Sequence, residues 1–108
     1  MLPLAAAIVL WGADLSGTWN AAVVLDAGSG TATFVFQQQV TSLSGTYSGV
    51  LGEAKVTGTV MGDKVEWSFD GGQVGKVSFQ GTLDGPAKMK GTAEYGQLGK
   101  GTFTAEKK

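Results

Sequence analysis

From Asp14 to the C-terminus, apolar and polar side chains alternate almost one for one, and this period of two narrows the possible folds more than any other feature. In a strand, residues i and i+2 share a face while i+1 takes the other, so a chain written this way builds sheet rather than helix. One pattern, Gly then Thr then an apolar or aromatic residue, returns seven times: Gly17-Thr18-Trp19, Gly30-Thr31-Ala32, Gly45-Thr46-Tyr47, Gly58-Thr59-Val60, Gly81-Thr82-Leu83, Gly91-Thr92-Ala93 and Gly101-Thr102-Phe103. Each copy sets Gly and the apolar residue on one face and Thr on the other. Thr suits a half-solvated pleated surface. An inward Gly lets a strand bend or a neighbouring group come close.

Eight runs of this kind follow one another, broken by turn signals such as Asp26-Ala27-Gly28-Ser29, Gly62-Asp63, Gly71-Gly72 and Asp84-Gly85-Pro86. Short strands at such spacings read as an antiparallel meander. An open meander leaves two unpaired edges, whereas closure into an up-and-down barrel removes both. The expected fold is therefore an all-β, eight-stranded up-and-down barrel, with a two-sheet sandwich as the alternative. One face collects Trp19, Phe34, Phe36, Tyr47, Trp67, Phe69, Phe79, Tyr95 and Phe103, which is every aromatic residue except Trp11, and carries no charge. That face is the expected core.

Composition removes several function classes. The chain of 108 residues has no Cys and no His, so it holds no thiol nucleophile, no thiolate metal site and no His-based triad or zinc hydrolase. An enzyme is not expected. A formal charge of −1, with both signs interspersed, gives no basic stripe for nucleic acid. Glu66 with Asp70, and Asp63 with Asp84, fall on outer faces or turns and read as solvated charge, so no calcium site or glycosidase dyad follows.

Residues 1–13 stand apart. From Leu2 to Trp11 they are apolar and uncharged, interrupted only by Pro3, and the run is too short to span a bilayer as a helix. They read as the end of a secretory leader, with Ala5-Ala6-Ala7 or Gly12-Ala13 as cleavage positions, followed by one domain over 14–108. A secreted or periplasmic location follows from that reading. The alternative is that the segment stays as an apolar strand or short helix packed on the domain or on a neighbouring subunit.

Gly17-Thr18-Trp19, Leu43-Ser44-Gly45-Thr46-Tyr47 with the following Val50-Leu51-Gly52-Glu53-Ala54, and Leu98-Gly99-Lys100-Gly101-Thr102-Phe103-Thr104 resemble the avidin and streptavidin family, calycin-type barrels that hold biotin in one mouth. The resemblance implies a ligand site in one mouth, with Tyr47 at the family's ligand-contacting Tyr and Trp67, Phe79 and Tyr95 near its pocket tryptophans. Several polar partners of biotin are replaced. Ala21 stands where the family has Asn, Gly49 where it has Ser, and Gly101 where it has Asp. A site built to hydrogen-bond a buried polar ligand loses much of its affinity without them, so biotin is not the expected ligand. The chain is also similar to Gly-Thr-rich β domains of exported bacterial proteins.

An eight-stranded barrel is wide enough either to fill with its own side chains or to hold one small ligand. Inner Gly and Ala residues such as Gly45, Gly81, Gly91 and Ala93 make room for both outcomes. If the interior is open, the hydroxyls of Tyr47 and Tyr95 and the indole N–H groups of Trp19 and Trp67 would orient a small, largely apolar ligand, with Phe79 beside them. Two Gly-x-Leu-Gly loops follow Tyr47 and Tyr95 and place Val50, Leu51 and Leu98 at a rim or fold them inward as lids. The expected function is a non-catalytic barrel binding a small apolar molecule, with no cofactor and no metal. The alternative is a structural or self-assembling module with a filled core, associating through its outer face or its N-terminal segment.

Overall fold

The computed structural model describes residues 14–108. The leader assigned to residues 1–13 lies outside the described residues. Eight strands follow in order: β1 (Gly17–Leu25), β2 (Gly28–Gln39), β3 (Ser42–Gly49), β4 (Gly52–Met61), β5 (Lys64–Asp70), β6 (Lys76–Leu83), β7 (Lys88–Tyr95) and β8 (Lys100–Lys107). Each pairs antiparallel with the next, and β8 returns to β1, so the sheet closes into a barrel rather than splitting into a sandwich. The closing pair runs from Trp19↔Lys107 to Leu25↔Gly101.

The alternation explains the core directly. In β5, Val65, Trp67 and Phe69 are buried while Lys64, Glu66 and Asp70 are exposed. The same split holds around the barrel, and every buried hydrophobic residue among those described joins one cluster. No polar or charged residue among them is buried.

The repeated glycines fall into physically different kinds. A Cβ on Gly58 would strike the Glu66 carbonyl oxygen and lie 2.7 Å from Trp67 Cα, and one on Gly91 would strike the Gln80 carbonyl and lie 2.7 Å from Gly81 Cα. The neighbouring backbone occupies the volume a side chain would need. Gly45 against Val35 and Gly101 against Val24 repeat the arrangement, so alternate strand pairs come together at a glycine and the sheet can turn its corners there.

The two ends of the barrel differ. At one end lie the turns Val40-Thr41 and Gly62-Asp63 and the loop before β7, and here the chain enters. Leu15, fully buried, stoppers this end. Its carbonyl accepts the Trp19 indole N–H at 3.0 Å, and its N–H donates to Gln38 Oε1 at 2.8 Å. Gln38 Nε2 reaches on to the Val40 carbonyl at 2.9 Å, so one side chain joins the stopper to the β2–β3 turn. Just outside, Asp14 accepts from the Ser16 backbone N–H at 2.9 Å, and that bond, followed by one from the Ser16 hydroxyl, holds its carboxyl below the usual value. The opposite end carries the Asp26-Ala27 turn, the Val50-Leu51 turn and two loops with short 3-10 turns, Gly72–Val74 and Gly96–Leu98.

Candidate functional site

The middle of the barrel is filled by its own rings. Trp67 and Phe79, opposite each other on β5 and β6, stack at 5.0 Å with planes 6° apart. Phe34 meets both edge-on at 5.2 Å, and Phe103 does so at 5.5 and 5.0 Å. Such offset and edge-to-face contacts add to what burial alone gives. Within this packing the Trp67 indole N–H finds no acceptor, and a buried unpaired donor costs about 1–3 kcal/mol.

Two tyrosines cap the aromatic stack toward the unstoppered end. Tyr47 lies on Phe69 with centroids 4.1 Å apart and planes at 18°, and Tyr95 meets Phe79 edge-on at 5.7 Å. Tyr47 Oη accepts the backbone N–H of Leu51 at 3.3 Å, which fixes the β3–β4 turn over the ring. This ring position requires Gly49, since a Cβ there would collide with the Tyr47 hydroxyl and lie 2.7 Å from Cζ. Burial, and secondarily the neighbouring Tyr47, push the Tyr95 hydroxyl well above its ordinary pKa of 10.0. Tyr95 therefore stays a neutral hydroxyl across the physiological range.

Above Tyr95 the barrel opens into a depression of about 240 Å³ lined by Val23, Leu25, Val50 and Leu98, with the strand start from Gly28 to Thr31 as its other wall. Ring, aliphatic and glycine surfaces dominate it. Gly30 borders it with an ordinary backbone angle and nothing within 4 Å of where a Cβ would stand. Val50 is 79% exposed, so it stands at the rim and not as a lid on the core.

Of the five residues singled out by sequence, Tyr95 lines the depression and Tyr47 sits beside it under the β3–β4 turn. Trp67 and Phe79 lie one layer deeper, in the filled centre. Trp19 is bonded to Leu15 in the stopper at the other end, so the five do not converge on one cavity. Among the described residues no three Asp or Glu side chains come together in a way that could hold a metal ion.

Sequence reasoning placed Leu98 in a loop at the mouth but passed over Gly30 and the twin of the Leu98 loop. Gly30 looks like any other copy of the Gly-Thr pattern, and only its place beyond the last β2–β3 pair, Ala32↔Gly49, exposes it to the mouth. The other was legible: Gly72-Gln73-Val74-Gly75-Lys76 and Gly96-Gln97-Leu98-Gly99-Lys100 are near copies. They form matching 3-10 turns, in which the Gly75 N–H returns to Gly72 and the Gly99 N–H to Gly96. The two loops touch, a Cβ on Gly96 striking the Val74 carbonyl, so they make one continuous side of the rim.

No family model matches the chain, and no curated protein does. Among solved structures it is similar to a redesigned beta barrel, mFAP1, bound to DFHBI, with a TM-score of 0.59 over 87% of this chain and 94% of that one. The two share 19% of their residues, so the likeness is one of fold: an eight-stranded antiparallel β-barrel.

Proposed function

We propose that the protein is a non-catalytic, exported binding barrel that takes a small, largely apolar molecule at its open end. The observation that carries this reading is the apolar depression of about 240 Å³ with the Tyr95 side chain in its lining. Its size is below the roughly 300–1,000 Å³ of drug-sized pockets, so the ligand is small or stays partly in solvent. One polar atom on the ligand, placed to meet the Tyr95 hydroxyl, would orient it while the aliphatic walls bury the rest. The redesigned barrel mFAP1 holds DFHBI, which supports small-molecule binding by this fold. The avidin-like placement of Tyr47 supports a site in the same region. Gly49, required by the Tyr47 ring, removes a hydroxyl that an avidin-like site would use and supports a ligand other than biotin.

Fluorescence titration tests the reading, with DFHBI and anilinonaphthalene sulfonate as probes. Saturable enhancement is expected with at least one dye. Gly30→Leu fills the depression without touching the core and should abolish the signal while leaving the melting temperature within a few degrees. Tyr95→Phe should weaken binding about three- to tenfold, the range of one hydrogen bond. No saturable signal with either dye, or unchanged binding by Gly30→Leu, would refute the site.

A further inference from the structure

Two strand starts keep a free edge: that of β4 over residues 52–56, which carries the charges of Glu53 and Lys55, and that of β2, which carries none. β2 pairs with β1 as far as Leu25↔Gly28, but with β3 only as far as Ala32↔Gly49, so residues 28–31 have a neighbour on one side alone. Among the described residues no backbone hydrogen bond reaches their other side. All four are exposed. Natural edges are usually blunted by charge, Pro or a bulge, yet Gly28-Ser29-Gly30-Thr31 carries none of the first two and pairs with β1 without interruption. Exposed Val50 and the apolar depression lie directly beside it. An extended, uncharged segment satisfies both surfaces together, since its main chain meets the edge and every second side chain turns into the depression.

The chain holds one uncharged, apolar run of suitable length, residues 4–11, ending three residues before Asp14. We propose that this segment of one copy adds as a strand to the free β2 edge of a second copy, with Ile8 or Leu10 seated in the mouth. Reach keeps Ile8 and Leu10 from the mouth of their own copy, which could bring only residues 4–7 there. Leu15 is tied to Gln38, and from Gln38 to Gly30 along β2 is about 26 Å at about 3.3 Å per residue. Ile8 reaches only about 23 Å from Leu15 by the same measure. A second copy has no such limit, and head-to-tail addition of this kind builds rings or open chains. The proposal shares the depression with the small-molecule reading but does not rest on it; it takes residues 4–11 as retained, the alternative to a cleaved leader, and the segment and a ligand exclude each other.

Native mass spectrometry and sedimentation of the full chain, from about 1 to about 100 μM, test the proposal. Concentration-dependent oligomers are expected, and both the double variant Ile8→Asp with Leu10→Asp and the single variant Gly30→Leu should be monomeric. The absence of Cys allows direct trapping: Val9→Cys and Ser29→Cys chains, mixed under mild oxidation, should form a mixed disulfide in excess of a Val9→Cys and Thr104→Cys control. A full chain that stays monomeric, oligomers that survive both variants, or trapping no better than the control would overturn it. DFHBI titration of the double variant, whose mouth is uncovered, separates the two readings. Loss of dye binding there refutes the small-molecule site and leaves the strand addition standing.

Discussion

Two copies of one sequence pattern should respond oppositely to the same substitution. Gly30-Thr31-Ala32 and Gly91-Thr92-Ala93 are identical, and neither glycine has a left-handed backbone angle. Their surroundings differ completely. A Cβ on Gly91 meets the Gln80 carbonyl, with Gly81 Cα at 2.7 Å and Gln80 C at 2.8 Å, all of them β6 backbone. Backbone cannot rotate away as a side chain does, so the β6–β7 ladder must part. Overpacking costs about 1–3 kcal/mol, and lost ladder bonds push Gly91→Ala to the upper end of that range. For a domain of this size about 1 kcal/mol moves the melting temperature by roughly 4–8 °C, so a fall of about 10–20 °C is expected. Gly30→Ala meets nothing within 4 Å, and by restricting the unfolded chain it should add about 0.4–1 kcal/mol. Urea and thermal melts of both variants, with the denaturant slope compared to confirm like exposure on unfolding, decide the matter. If Gly91→Ala stays within about 0.5 kcal/mol of the parent, the size of a neutral surface change, then contact geometry does not set the role of these glycines.

Val40 is a β-branched residue with φ of 59° at the β2–β3 turn, and its side chain is 89% exposed. Left-handed backbone costs about 1–2 kcal/mol in a residue with a Cβ, so Val40→Gly should stabilise by about 1 kcal/mol after the entropic loss of Gly, whereas Val40→Ala should not; equal melts for the two variants would sink the explanation. Tyr95 gives a pH signature. Its pKa is raised in the fold, so the stability it contributes is complete below 10.0, the ordinary tyrosine value, and is lost as pH rises from there toward the folded value. Stability measured from pH 9 to 12 should fall less steeply in Tyr95→Phe than in the parent, and identical slopes would contradict the assignment.

The strand plan was legible because alternation encodes it at every position. Shifting a strand by one residue would turn its whole apolar set outward, so Trp67 with Val65 and Phe69 could point only one way. Turns and ends were less legible, because their chemistry is not periodic. Val40-Thr41 has none of the Gly or Asn that a tight hairpin favours, and Gln38 reads as one of three consecutive glutamines although it joins the stopper to the β2–β3 turn. Trp19 shares a face with Tyr47 and Tyr95, and a face does not record height along the barrel. The sequence therefore grouped residues that the fold separates into stopper, packed centre and mouth.

The stoppered end also brings the two ends of the described chain together. Lys107 Nζ donates to the Asp14 carbonyl at 3.3 Å, and the Lys108 N–H donates to Thr18 at 2.8 Å. The Gly62-Asp63 turn and the loop from Asp84 to Ala87 lie at this same end. A short linker from Lys108 to Asp14 would thus turn the β8–β1 closure into an ordinary hairpin, and a cut at either connection would supply new termini. Such a rearranged chain keeps all eight pairings, and only the identity of the one non-local pair changes. Because every cut falls at the far end from Tyr95, the mouth would be unchanged in each rearrangement, while folding order, set by which pair must close last, would move around the barrel.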